Sequence, residues 1–459
     1  MAFDPERAAI RFGCGLAPDI APPRSATEML DRLAEPDTAA HRFPVPAIDT
    51  VLHGLVEIAR LSRTARAASG SAERDAARDS RKARLRAMRL EAGGWFRHAL
   101  LRRITTNDGF RERLVSFWGD HFTAHGKGPA RHLSYLPYLE DAIRPHVTER
   151  FADMLKAVIT HPVLLRYLDQ PRSAGPSSRA ARRRGGPGLN ENLAREVLEL
   201  HTLGVGASYT PRDVRALATL FTGLSIAPDR GFVFRENLAE PGQITVLNRV
   251  YGGKSPSLRH VFQALEDLAA HPATALHLAR KLARHFVSDT PDPALISALQ
   301  ARYIETDGTL SALYESLLDH PSAWRPEAGN VKQPFDFMAS ALRALGLMPE
   351  DLPTDPGRLR RLLHTPLGLM GQPFGQPRAP DGWPEADADW ITPQGMAARL
   401  NWAMTVPTAL ADRLPDPRVF AATALGSRIP EPVRFAAAAA ETRADGVALV
   451  LSAPAFQRM

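Results

Sequence analysis

One cysteine, Cys14, stands in 459 residues, so no intrachain disulfide framework can form and the fold must rest on packing and polar pairing. No apolar run approaches the ~20 residues that a membrane span needs. The first residues, Met-Ala-Phe-Asp-Pro-Glu-Arg, carry neither a basic segment followed by an apolar one nor a twin-arginine signal, so the expected compartment is the cytoplasm. Lysine is scarce: arginine supplies nearly all of the 57 basic residues, which outnumber 50 acidic ones for a net charge of +7. That balance permits binding of anionic polymers. No RNP, zinc-finger or basic-zipper pattern accompanies it, so nucleic acid is not the expected partner. A Gly-rich phosphate loop, a dinucleotide fingerprint and a nucleophile elbow are also missing, so no nucleotide or nicotinamide cofactor is implied and the cofactor stays undefined.

What is present is helical spacing from end to end. Apolar residues recur at the helical period, and only 231–235 and 243–248 read as strands. The expected fold is all-α, a large irregular multi-helix domain of packed helix hairpins with at most one small β-hairpin. Residues 1–345 form the expected main helical domain, with a solvated arm at 70–92 and a flexible loop at 171–188 that contains the run Arg179 to Arg184. Residues 346–459 form a Pro/Gly-rich loop and C-terminal helices packed on the main domain. The 39 prolines predict frequent helix breaks. Three His-Pro pairs, at His161, His271 and His320, each follow an apolar helical run, which places the histidine near the negative end of one helix and the proline at the start of the next.

The segment from Gly188 to Gly204 holds the densest polar chemistry. Asn190 and the preceding Pro187 predict a helix start, Gly204 a stop, and the helix is expected over 189–203. At about 100° per residue, Leu193, Val197 and Leu200 face one side, while Glu191, Asn192, Arg195, Glu196 and Glu199 face the other. Asn192, Glu196 and Glu199 can converge on one ligand. The i, i+4, i+8 series Glu191, Arg195, Glu199 is equally the ion-pair ladder of an ordinary solvated helix. His201 falls about 140° or more away from Glu196 and Glu199, which argues against a metal face on this helix, so no metal ligand is assigned. Elsewhere, Trp118, His121 and His125 offer a platform and two imidazoles four apart, and Gly126 and Gly128 make a continued helix doubtful there. Lys281, between Arg280 and Arg284, can hold an anion or a carboxylate from the polar helix. The long loop after residue 346 brings Gln372 and Trp383, side chains suited to a binding wall.

Several landmarks in fixed order resemble a bacterial family, the domain-of-unknown-function family 1800: Ile10-Arg11-Phe12-Gly13, Phe117-Trp118-Gly119-Asp120-His121-Phe122, Tyr167-Leu168-Asp169, Leu189-Asn190-Glu191-Asn192 through Leu203-Gly204, Gly371-Gln372-Pro373, Gly382-Trp383-Pro384 and Phe456-Gln457-Arg458. The resemblance implies one large helical unit and a shared polar helix, without an established activity. It also implies relatives that are often exported and encoded beside a phosphatase- or sulfatase-like family, hence a functional association with such a partner. Where many relatives carry a histidine before Glu-Pro-Gly, this chain has Ala239-Glu240-Pro241-Gly242. The functional expectation is a hydrolase-like enzyme acting on a polyhydroxylated substrate such as a saccharide, with Glu196, Glu191 or Glu199 as acid or base. Asn190, Asn192, Arg195, Trp118, His121, Lys281, Gln372 and Trp383 are the expected substrate contacts. The alternative is a non-catalytic binding or assembly protein in which the same helix is a buried polar network.

Overall fold

The computed structural model describes residues 3–182, 186–228, 230–325 and 329–459. It is 61% helical, with two small antiparallel two-stranded sheets. Arg183, Arg184 and Gly185 of the expected 171–188 loop lie outside the described residues. Among the described residues no helix is long and apolar enough to cross a membrane.

Proline starts helices here more than it breaks them. His161, His271 and His320 each cap the helix that follows: their Nδ1 atoms accept the N–H of Val163 (3.2 Å), Ala273 (3.1 Å) and Ser322 (3.2 Å), with proline at the first helical position. The expectation placed these imidazoles at the negative end of the preceding helix. They do follow the last turn of that helix, and each also caps forward, because a neutral Nδ1 can satisfy an orphan amide that proline, lacking an N–H, leaves next in line. Asp292, Asp355, Asp416, Thr210 and Thr392 cap proline-initiated helices in the same way. Among the described prolines, Pro407 lies inside a longer helix, Pro393–Leu410.

The helices Ile48–Ala67 and Ser71–Thr105 form a long antiparallel hairpin. They cross closely at Gly54, where a Cβ would meet the Met88 Cε at 2.5 Å. The segment 70–92 is therefore the first half of a continuous 35-residue helix. Its apolar second half, with Phe96, Leu100 and Ile104, enters a core with Phe337, Leu342, Trp402, Phe420 and Phe456. The other core runs from Ala8 to Trp324 and includes Trp118, Phe122, Phe151 and Tyr314. The helix Pro334–Ala344 packs with Phe96, Trp402 and Phe456 in the first of these cores.

Two β-hairpins stand where one was expected. Leu224–Ala227 pairs with Gly231–Phe234, and Gly242–Val246 pairs with Arg249–Gly253. The two sequence-predicted strands therefore do not pair with each other. Their partners, 224–227 and 249–253, are short segments whose alternation is too brief to stand out. The second hairpin turns through Leu247 and Asn248, both at positive φ (48° and 63°), and the Leu247 N–H is held by Asp213 Oδ1 at 3.1 Å.

A candidate active site around Asp120

The polar helix starts later and winds more widely than the 3.6-residue period predicts. Asn190 anchors it: Oδ1 accepts the Asn192 N–H at 2.9 Å and Nδ2 donates to the Leu168 carbonyl at 2.9 Å. Only Asn192–Glu196 is α-helical, and Val197–His201 is a π turn. The Thr202 hydroxyl closes that turn on the Val197 carbonyl at 2.6 Å. Gly204 stops it at φ 91°, and a Cβ there would lie 2.9 Å from His277 Nδ1, so only glycine fits both the conformation and the imidazole.

The outer face of this helix is a solvated ladder. Arg195 lies 3.6 Å from Glu191 and 3.3 Å from Glu199, and Arg215 reaches Glu191 at 3.4 Å. Asn192 and Arg195 are exposed, and Asn190 is spent on capping. Glu196 differs. It is partly buried, has no ion pair among the described residues, and burial followed by the Glu199 and Asp381 carboxylates raises its carboxyl above the usual range against the pull of Arg195. Tyr167, also raised, senses the same Glu196 and Asp381 charges after burial.

The helix Gly109–His121 ends on a second constellation. Trp118 is wholly buried and its indole N–H donates to Tyr314 Oη at 2.6 Å, which places it in the core rather than against a substrate. His121 also turns inward. Its Nε2–H donates to the His201 carbonyl at 3.1 Å, and the His201 and His277 rings stand 6.0 Å from it. His277 Nε2–H donates to the Leu200 carbonyl at 2.9 Å. Burial holds all three imidazoles below their ordinary value, His201 at about 3, and the Lys281 charge adds to the effect. His125 lies beyond the helix end, stacked near Tyr167, so the four-residue spacing with His121 does not build a metal face. Among the described residues no three His, Cys, Asp or Glu side chains are placed to hold a metal ion.

Asp120, between these inward histidines and the surface, meets the loop that carries Trp383. Its Oδ1 accepts the Trp383 backbone N–H at 2.8 Å. Gly382 makes that approach possible: at φ 90°, a Cβ would sit 2.6 Å from Asp120 Oδ1. Burial pushes the Asp120 carboxyl up to about 7; Lys281 and the Trp383 N–H oppose the rise, and Glu385 and Asp381 add to it. Lys281 pairs with Glu385 of the same loop at 3.0 Å, not with a carboxylate of the polar helix as the sequence suggested. The loop reaches further toward Lys281 than the helix does.

Asp120 borders a narrow recess of about 40 Å³, partly open to solvent, with Tyr135, His285, Gln372, Phe374 and Trp383 on its walls. Gln372 staples the wall by donating to Gln333 Oε1 (2.7 Å) and accepting the Phe335 N–H (2.8 Å). On the same wall Asp336 is held by both Arg103 and Arg113, and Arg113 reaches His285 Nε2 at 3.3 Å. The structure thus gathers Gln372, Trp383 and Lys281 around Asp120, with Glu196 linked to the cluster through Asp381. It leaves Glu191, Asn192, Arg195 and Glu199 on the outer helix face. Asp120, Tyr135, Asp381 and Glu385 escaped the sequence reading. Asp120 and Asp381 lie within or beside Trp118-Gly119-Asp120-His121 and Gly382-Trp383-Pro384, so the signal was present, but nothing in either stretch shows that the two meet.

Residues 7–458, nearly the whole chain, match the family model described as a protein of unknown function, DUF1800. No curated protein and no solved structure matches.

Proposed function

The chain belongs to the DUF1800 family, whose description names no activity, and from the site geometry we propose that it is an acid–base enzyme acting on a polyhydroxylated substrate such as a saccharide in the Asp120 recess. The observation that carries this reading is Asp120 itself. A carboxyl raised to about 7 on the wall of an open recess, fixed through one oxygen by the Trp383 N–H, can give or take a proton near neutral pH. Glu196, raised by burial and without an ion pair among the described residues, is the second acidic group, sensing Asp381 of the cluster. Lys281, on Glu385, limits how far Asp120 rises and supplies positive potential for a developing anion. Tyr135 and Trp383 give rings on the wall of the recess, which opens to solvent where a larger ligand can extend.

One observation favours the alternative of a non-catalytic binding protein: on the recess wall Asp336 is engaged by Arg103 and Arg113, and Gln372 by Gln333, so these groups are spent on one another. A turnover screen of neutral and acidic oligosaccharides separates the two readings. Asp120→Asn should lower turnover ~100-fold or more, as loss of a general acid or base does, and the wild-type rate should show a limb near pH 7. Binding of a saccharide in the recess with no turnover by the wild type contradicts the enzyme reading.

A further inference from the structure

We propose that the ligand of this recess is an anionic polymer, an acidic polysaccharide, held by a cationic track that leaves the recess along the Ser71–Thr105 helix. The proposal rests on the recess reading above and names its substrate class. Phe96 of that helix packs on Phe374 (4.8 Å between ring centres), and Phe374 meets Tyr135 (5.6 Å), so the helix backs the recess wall. Residues 82, 86, 89, 93 and 96 are spaced i, i+4, i+7, i+11, i+14, so Lys82, Arg86, Arg89 and Gly93 share the face that ends on Phe96. Gly93 and Gly94 have open space where a Cβ would stand, leaving a trough between the wall and Arg89.

A second strand of contacts leads to the same place. Gln376, next to the recess residue Gly375, donates to His132 Nδ1 at 2.6 Å. The His132 imidazole, lowered chiefly by burial, also senses Arg131 and Arg89, which places these two guanidiniums together beside the rim. Arg86, Arg89 and Arg131 are exposed and no carboxylate pairs with them among the described residues. Lys82 pairs with Asp79 at 3.0 Å, so the cationic face without carboxylate partners runs from Phe96 to Arg86, ~15 Å at 1.5 Å per residue, the reach of a few sugar units.

The chemistry of the track selects its ligand. Fixed guanidiniums suit carboxylate or sulfate groups. A single-stranded nucleic acid would want exposed rings to stack on, and the face between Arg89 and Lys82 carries none. A lipid surface would want an apolar stripe beside the cations, and Leu90 is the one exposed large apolar side chain between Lys82 and Phe96.

The test uses the full chain and three probes: polygalacturonate, uncharged dextran and oligothymidylate, with binding followed by calorimetry. Polygalacturonate should bind, weaken several-fold between about 50 and about 300 mM salt, and weaken ~10-fold or more in the triple variant Arg86→Ala/Arg89→Ala/Arg131→Ala, while circular dichroism stays unchanged. Dextran should bind at least tenfold more weakly than polygalacturonate. Equal affinity of the triple variant, equal affinity for dextran, or tighter binding of oligothymidylate overturns the proposal. Polygalacturonate binding that depends on these arginines but yields no turnover sustains the track and contradicts the enzyme reading alone.

Discussion

At the residue scale the three glutamates of the polar helix separate by their partners. Glu199 shares Arg195 with Glu191 in a partly exposed ladder, so Glu199→Gln should change stability by under about 1 kcal/mol and leave turnover intact. Glu196 forms no ion pair among the described residues, and Arg195 acts on it only at a distance. Glu196→Gln should be neutral or slightly stabilising in a urea melt while reducing turnover, and a loss of several kcal/mol would show a buried partner that the structure does not contain. Asp120 carries the opposite linkage from a salt-bridged carboxylate. Its folded pKa is raised from 3.8 to about 7, so its contribution to stability is complete below about pH 4 and is lost as pH rises through 7. The shift amounts to up to about 4 kcal/mol. Asp120→Asn should therefore flatten the decline in urea midpoint between pH 4.5 and pH 8, and an unchanged slope would show that Asp120 titrates normally. The sequence exposed the acidic character of the helix but not this partition, because pairing depends on which loop lies opposite, and Asp381 and Glu385 are about 190 residues further along the chain.

Elements were more legible than sites. The helix stop at Gly204, the Asn190 anchor and the 94–105 apolar stretch all follow from local rules of capping and period. The π turn Val197–His201 does not, since a 3.6-residue template has no place for an i+5 closure. It draws the Thr202 hydroxyl onto the Val197 carbonyl, and Thr202→Val should cost about 1 kcal/mol in a thermal melt through that hydrogen bond. The His-Pro pairs were visible as boundaries, but not the forward cap, because spacing cannot say whether an imidazole donates backward or accepts forward. His161→Ala should lower stability by about 1 kcal/mol and His161→Asn should restore most of it, since an amide oxygen can accept the Val163 N–H. Equal losses in both variants would contradict the capping role.

On the scale of the whole molecule, the recess lies where the two cores meet. Phe374 and Phe335 pack on Phe96 at the C-terminal core, while Asp120 and His285 come from helices of the other core. Asp336 ties them together by accepting from Arg103 and Arg113, which hold its carboxyl well below the usual range against the cost of burial. That contribution is present above about pH 4 and is lost as pH falls through the depressed value. Asp336→Asn should leave two buried guanidiniums short of charge, cost about 3 to 5 kcal/mol, and shrink the acid-side loss of stability in urea melts across pH 2 to 5. No sequence pattern announces this triad, because its members come from three helices. The central claim, that Asp120 is a neutral-pH proton carrier on the recess wall, is tested most directly by following its carboxyl carbon by NMR in the folded chain as pH is varied. A midpoint near 7 that falls when Glu385→Gln removes the neighbouring charge is the predicted result, and a midpoint near 4 would contradict it.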